Sequence, residues 1–148
     1  MASMSKAFPI THRELERAWR ELRRSSQVES RCNSHRLLMV YAVECGLKAV
    51  WLRRQCRNLF EGQDIDRFGH DLNEILRELR PGRQFELPGS VQLAPIEAGR
   101  PPRVRSRSGG LDALHQAWRY GAPLVEPSDE AMEQSLERVA QWIAKELQ

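Results

Sequence analysis

Residues 37–52, LLMVYAVECGLKAVWL, constrain this chain more than any other stretch. No proline interrupts them, and their only charged side chains are Glu44 and Lys48. A helix that is apolar on nearly all sides must be covered on nearly all sides. The segment therefore predicts a central helix within residues 30–59, around which the rest of the chain packs. Glu44 and Lys48 stand four apart with the acid first, the favourable order for a helical ion pair. Gly46 in mid-helix costs roughly 1 kcal/mol relative to alanine. Close approach of another helix would compensate it.

Amphipathic segments flank this one. Thr11 and Glu14 form a capping box ahead of ELERAWRELRRSS, where Leu15, Ala18, Trp19 and Leu22 make one stripe. Leu72, Ile75, Leu76 and Leu79 keep helical spacing behind His70-Asp71, and Pro81-Gly82 stops that helix. LDALHQAWRYG reads as a short helix closed by Gly121. Ser128 caps a final helix with Met132, Leu136, Val139, Ala140, Ile143 and Leu147 inward. Residues 81–110 hold five of the eight prolines and five of the nine glycines. They predict a long loop, in which QFEL and VQLA around Pro88-Gly89-Ser90 could form a small hairpin. The expected architecture is all-α, an up-down bundle of about five helices. Residues 1–10 read as a flexible N-terminus and residues 11–148 as one domain.

Composition narrows the function classes. The longest apolar run, residues 37–43, is seven residues, against about 20 for a membrane span. The N-terminal stretch has no apolar h-region, and Cys32, Cys45 and Cys56 have neither even number nor CxxC spacing. A cytoplasmic protein with reduced cysteines follows, without membrane, metal or cofactor. Arginine outnumbers lysine twenty to three, yet the net charge is only +3. Bulk charge therefore does not make this a nucleic-acid binder; placement must. Arg13 and Arg17 alternate with acids and read as solvated surface. Arg53, Arg54 and Arg57 suit the C-terminus of the central helix. Arg100, Arg103, Arg105 and Arg107 lie close together in the Pro/Gly-rich stretch, where guanidinium forks could take phosphates. His115 and Arg119, four apart on one helix face, form with Tyr120 the best constellation for a phosphate or base. The competing reading has Arg119 paired with Glu44. Of the four tryptophans, Trp118 alone is a candidate stacking platform beside the basic stretch.

YAVECGLKAVWL at residues 41–52, FGHDLNEIL at 68–76 and WRYG at 118–121 together resemble the HEPN family. Its members carry A-x-E-x-x-L-K-A on a long helix, H-[DN]-L-x-x-L at the start of a second, and Arg-Tyr near the end of a later one. The resemblance spans roughly residues 11–148. It implies a prokaryotic toxin–antitoxin, phage-defence or stress setting. The implied partners are a second copy, a nucleotidyltransferase-type protein or RNA. Catalytic members cleave RNA without metal through an arginine, four to six residues, then a histidine. Here Arg119 would need a histidine at 124, 125 or 126, and Leu124, Val125 and Glu126 stand there. The expectation is therefore a module that binds RNA, a nucleotide or a partner without that motif's catalysis. In the alternative, Arg119 works with a non-standard histidine, His115 or His70, as an endoribonuclease. A second alternative takes His35, His70-Asp71 and Asp112 in the order of HD-type metal phosphohydrolases. Glu44, Lys48 and Asp71 are expected to serve a structural polar network.

Overall fold

The computed structural model describes residues 7–148. The central segment is a 22-residue helix, α2 (Asn33–Arg54), preceded by β1 (Ile10–Thr11) and α1 (His12–Ser26). The Thr11 hydroxyl accepts from the Glu14 amide at 3.1 Å and Glu14 accepts from the Thr11 amide at 3.0 Å, so the capping box is formed. After α2 come β2 (Leu59–Phe60), α3 (Gly62–Phe68) and α4 (Leu72–Leu79). A three-stranded sheet and the remaining helices follow: β3 (Ser90–Ala98), β4 (Arg103–Gly110), α5 (Leu114–Arg119), β5 (Leu124–Glu126) and α6 (Asp129–Glu146).

Helices α1, α4, α5 and α6 all pack on α2. Ten of its residues, Met39 and Trp51 among them, are buried in the core. The apolar circumference of α2 is thus covered within one chain. At Gly46, side chains of α1 and α6 both press against α2. A Cβ there would stand 2.7 Å from Ile143 Cγ2 and 2.9 Å from Trp19 Cε3. Arginines clasp the same three helices. Arg23 of α1 forks onto Glu137 of α6 through two 2.6 Å bonds, and Arg36 of α2 donates to Glu133 at 2.8 Å. Arg31 reaches both Glu133 and Glu137.

The all-α expectation is corrected. Among the described residues, helices make up 58% and strands 17%, in six helices and two antiparallel sheets. The larger sheet has the order β4-β3-β5. It replaces the predicted loop at 81–110, and its turn is not the predicted Pro88-Gly89-Ser90. The hairpin instead turns between Ala98 and Arg103, with Gly99 at φ 97°. Prolines are compatible with this sheet because Pro95 falls in a register shift between Leu93 and Ile96, and Pro101 and Pro102 lie in the turn. RVRSRS alternates with period two, which is strand periodicity as much as it is a charge run. The second sheet pairs Ile10 with Phe60 and Thr11 with Leu59. It ties part of the expected flexible N-terminus; residues 1–6 lie outside the described residues. Helix α3 adds a sixth helix to the five predicted. Its third residue, Asp64, binds the Glu61 amide and the Arg57 guanidinium, which fixes its first turn.

Helix α4 closes on Arg80, in the left-handed region at φ 50°. A side chain there costs about 1 kcal/mol where glycine would cost nothing.

Gly46→Ala should lower stability by about 1–2 kcal/mol, because overpacking against Ile143 and Trp19 outweighs the gain in helix propensity. Urea unfolding monitored by circular dichroism reads this, and an equally stable variant would contradict the close-packed α1–α2–α6 contact.

Candidate functional site

Polar residues on α2 share one stripe. Tyr41, Glu44 and Lys48 stand at i, i+3 and i+7, so they point the same way between α4 and α5. Glu44 is mostly buried at its side chain, and its carboxylate is satisfied twice. Lys48 Nζ lies 3.5 Å from Oε2, and His70 Nδ1 lies 2.9 Å from Oε1. A carboxylate only accepts, so the His70 Nδ1–H donates and Nε2 is left for a ligand. His70 is supplied by the turn into α4, where Asp71 caps the helix by accepting from the Asn73 amide at 3.0 Å. The His70 side chain remains 62% exposed.

Helix α5 brings the other half of the site. Leu114, Ala117 and Trp118 turn inward, and Trp118 Nε1 donates to Asp129 Oδ1 at 2.8 Å. Asp129 also accepts from the Leu124 amide, which fixes the chain after α5. With those residues inward, His115 and Arg119 face α2. Arg119 Nη2 donates to the Tyr41 hydroxyl at 2.7 Å. The His115 and His70 rings lie 5.1 Å apart at 46°. Burial first, then the nearby His70 and Arg119 charges, hold the His115 imidazole below its ordinary 6.5. The neutral form, a proton acceptor, is thereby favoured at this position.

The arginine ribbon begins on the other side of α5. Arg103, Arg105 and Arg107 alternate onto one face of β4, with Leu93 paired to Arg107 and Ile96 to Arg105. Arg107 is anchored by donating to the Ala94 carbonyl at 2.9 Å. It lines a groove of about 390 Å³ with Leu93, Gln116 and Tyr120. Tyr120 is 77% exposed. Arg100, Arg103 and Arg105 are exposed and form no ion pair among the described residues. Seven residue steps along the ribbon, at about 3.3 Å each, carry Arg103 roughly 20 Å from its base.

The structure therefore joins the sequence-predicted residues in two adjoining groups. His70, His115 and Arg119 meet at one surface, and Arg107 and Tyr120 meet at the groove next to it. Glu44 binds Lys48 and His70, Asp71 caps α4, and Arg119 pairs with Tyr41 and not with Glu44. Trp118 is buried at 2% exposure, so it is not a stacking platform; Tyr120 is the exposed ring. Tyr41 was missed, and its place on the Glu44–Lys48 stripe was the available signal. The HD-type set is not assembled. His35 sits in the first turn of α2, accepting from the Cys32 amide at 3.2 Å. It is about 13 Å along the helix from the Glu44 that holds His70. Asp71 is occupied as a cap and Asp112 is exposed. No cluster of three or more His, Cys, Asp or Glu side chains that could hold a metal occurs among the described residues. No helix of the described residues is long and apolar enough to cross a membrane. All three cysteines are free.

No protein family, characterised protein or solved structure matches this chain.

A histidine held below its ordinary value binds fewer protons folded than unfolded, so its contribution to stability is complete above 6.5 and is lost as the pH falls below it. His115→Gln should therefore flatten the loss of stability between about pH 7.5 and about pH 5 relative to the parent chain. Urea unfolding at a series of pH values checks it, and superimposable pH profiles would refute the buried placement of His115.

Proposed function

We propose that this chain is a HEPN-like RNA-binding module that cleaves RNA without a metal. The observation that carries the reading is convergence. The three separated stretches that resemble the HEPN pattern supply Tyr41, Glu44 and Lys48, then His70, then Arg119, and all of these meet at one surface. His115 adds a second imidazole 5.1 Å from the first.

Two imidazoles and a guanidinium suffice for transesterification. His115, kept neutral, takes the proton from a ribose 2′-hydroxyl as its oxygen attacks the phosphorus. His70, entering the step as an imidazolium oriented by Glu44, gives its Nε2 proton to the departing 5′-oxygen. Arg119, steadied by Tyr41, neutralises the charge that gathers on the non-bridging oxygens. The products are a 2′,3′-cyclic phosphate and a 5′-hydroxyl. The Arg103–Arg107 face and Tyr120 hold the strand that leads to this point, by phosphate contact and base stacking.

The same resemblance supplies the setting: a prokaryotic toxin–antitoxin, phage-defence or stress system in the cytoplasm. A second copy or a nucleotidyltransferase-type protein is the protein partner it implies. Val104 and Val125, exposed on the three-stranded sheet, offer such a partner apolar surface.

Purified protein in EDTA should cut single-stranded RNA to fragments ending in cyclic phosphate. Arg119→Ala should slow this by about 10²–10³, and His70→Asn or His115→Asn by about 10²–10⁴. Gel analysis with end-group mapping reads both. RNA that is bound with the Arg103–Arg107 face but left intact would refute the cleavage and leave the binding module. Activity in metal that vanishes in EDTA would refute the metal-free mechanism.

A further inference from the structure

A cavity of about 570 Å³ lies away from the histidine cluster, between the end of α4 and the segment that leads into β3. Its walls combine two chemistries. Leu76, Phe85 and Leu87 supply apolar surface, and Arg77, Arg80 and Arg83 supply three guanidiniums. A volume of this size and an apolar lining with a few convergent polar groups suit a small organic ligand.

The wall is preformed. Asn73 clamps Leu87 on both sides, donating to its carbonyl at 3.1 Å and accepting from its amide at 3.3 Å. Phe85 rests against Trp142, with ring centroids 6.2 Å apart. The arginines, by contrast, are largely uncommitted. Arg80 and Arg83 have no ion pair among the described residues, and Arg77 holds only Glu74, in an exposed pair that a ligand can replace. Glu86 is the one carboxylate on the lining, so positive charge remains in excess. Arg80 is also the residue that closes α4 in the left-handed conformation. Fold stability alone would favour glycine at that position. The residue in this costly backbone state is one that lines the cavity with a guanidinium side chain.

We infer that this cavity binds a small phosphomonoester with an apolar body. A carboxylate is satisfied by one guanidinium fork, whereas a phosphate dianion offers three oxygens to three arginines. Leu76, Phe85 and Leu87 take the apolar body. This site is separate from the His70–His115 surface and does not depend on the chain cutting RNA.

Calorimetric titration of the full chain with phenyl phosphate tests it, with inorganic phosphate, benzoate and phenol as comparison probes. Phenyl phosphate should bind, and each comparison probe should bind at least tenfold more weakly. Arg80→Gly removes the guanidinium and relieves the left-handed strain together. It should raise the thermal unfolding midpoint while weakening phenyl phosphate at least tenfold, which separates lost binding from lost folding. Arg83→Ala should weaken it similarly, and Arg119→Ala should leave it unchanged. The proposal is overturned if phenyl phosphate gives no heat up to millimolar concentration. It is equally overturned if phenol or phosphate alone matches it, if Arg80→Gly binds as tightly as the parent, or if Arg119→Ala abolishes binding.

Discussion

Helix α2 can be buried on most sides only if its polar groups lie along one line, and the rest of the architecture follows from that line. Tyr41, Glu44 and Lys48 define a strip that no apolar surface can cover without stranding a charge. The strip is closed instead by a histidine from the α3–α4 turn and an arginine from α5. The residues that satisfy the core helix are for that reason the ones that gather reactive side chains at a surface. On the opposite side, the absence of a side chain at Gly46 lets α1 and α6 approach, and the Arg23–Glu137 fork with its Arg31 and Arg36 neighbours locks them there. Arg23 also holds the Glu137 carboxyl below the usual carboxylate range.

Short helix α5 links the two candidate surfaces. Its buried edge is fixed by Trp118 through Asp129, the same carboxylate that holds the Leu124 amide. From that fixed edge, His115 and Arg119 look toward α2, while Gln116 and Tyr120 look toward the hairpin. A helix of six residues has little stability of its own. Its precision comes from the tryptophan anchor and from α2.

Helical segments with strong period were legible in the sequence: the central helix, the capping box at Thr11, the cap at Ser128, and the reason for Gly46. The Glu44–Lys48 pair and the shared face of His115 and Arg119 were legible for the same reason, since four-residue spacing fixes direction. The sheet was not. Prolines and glycines in residues 81–110 signalled loop, and only the placement of Pro95 at a register shift makes them compatible with strands. Pairings between segments far apart in sequence were equally hidden. Nothing in local spacing says that Arg119 chooses Tyr41 or that Arg23 crosses to α6. The burial of Trp118 depends on Asp129, eleven residues away in a different helix.

Strand β4 is an edge. One side of its backbone pairs with β3, and the other side faces no strand among the described residues. Such an edge is a template for a strand from another molecule, and exposed Val104 adds apolar encouragement. The charges at Arg103 and Arg105 oppose that event, because two copies meeting edge to edge would bring unpaired guanidiniums together. The register shift at Pro95 twists the ribbon as well and denies a visiting strand a flat partner. The arginine ribbon therefore also disfavours edge-to-edge pairing through β4, so its sequence answers to unwanted strand addition as well as to any ligand.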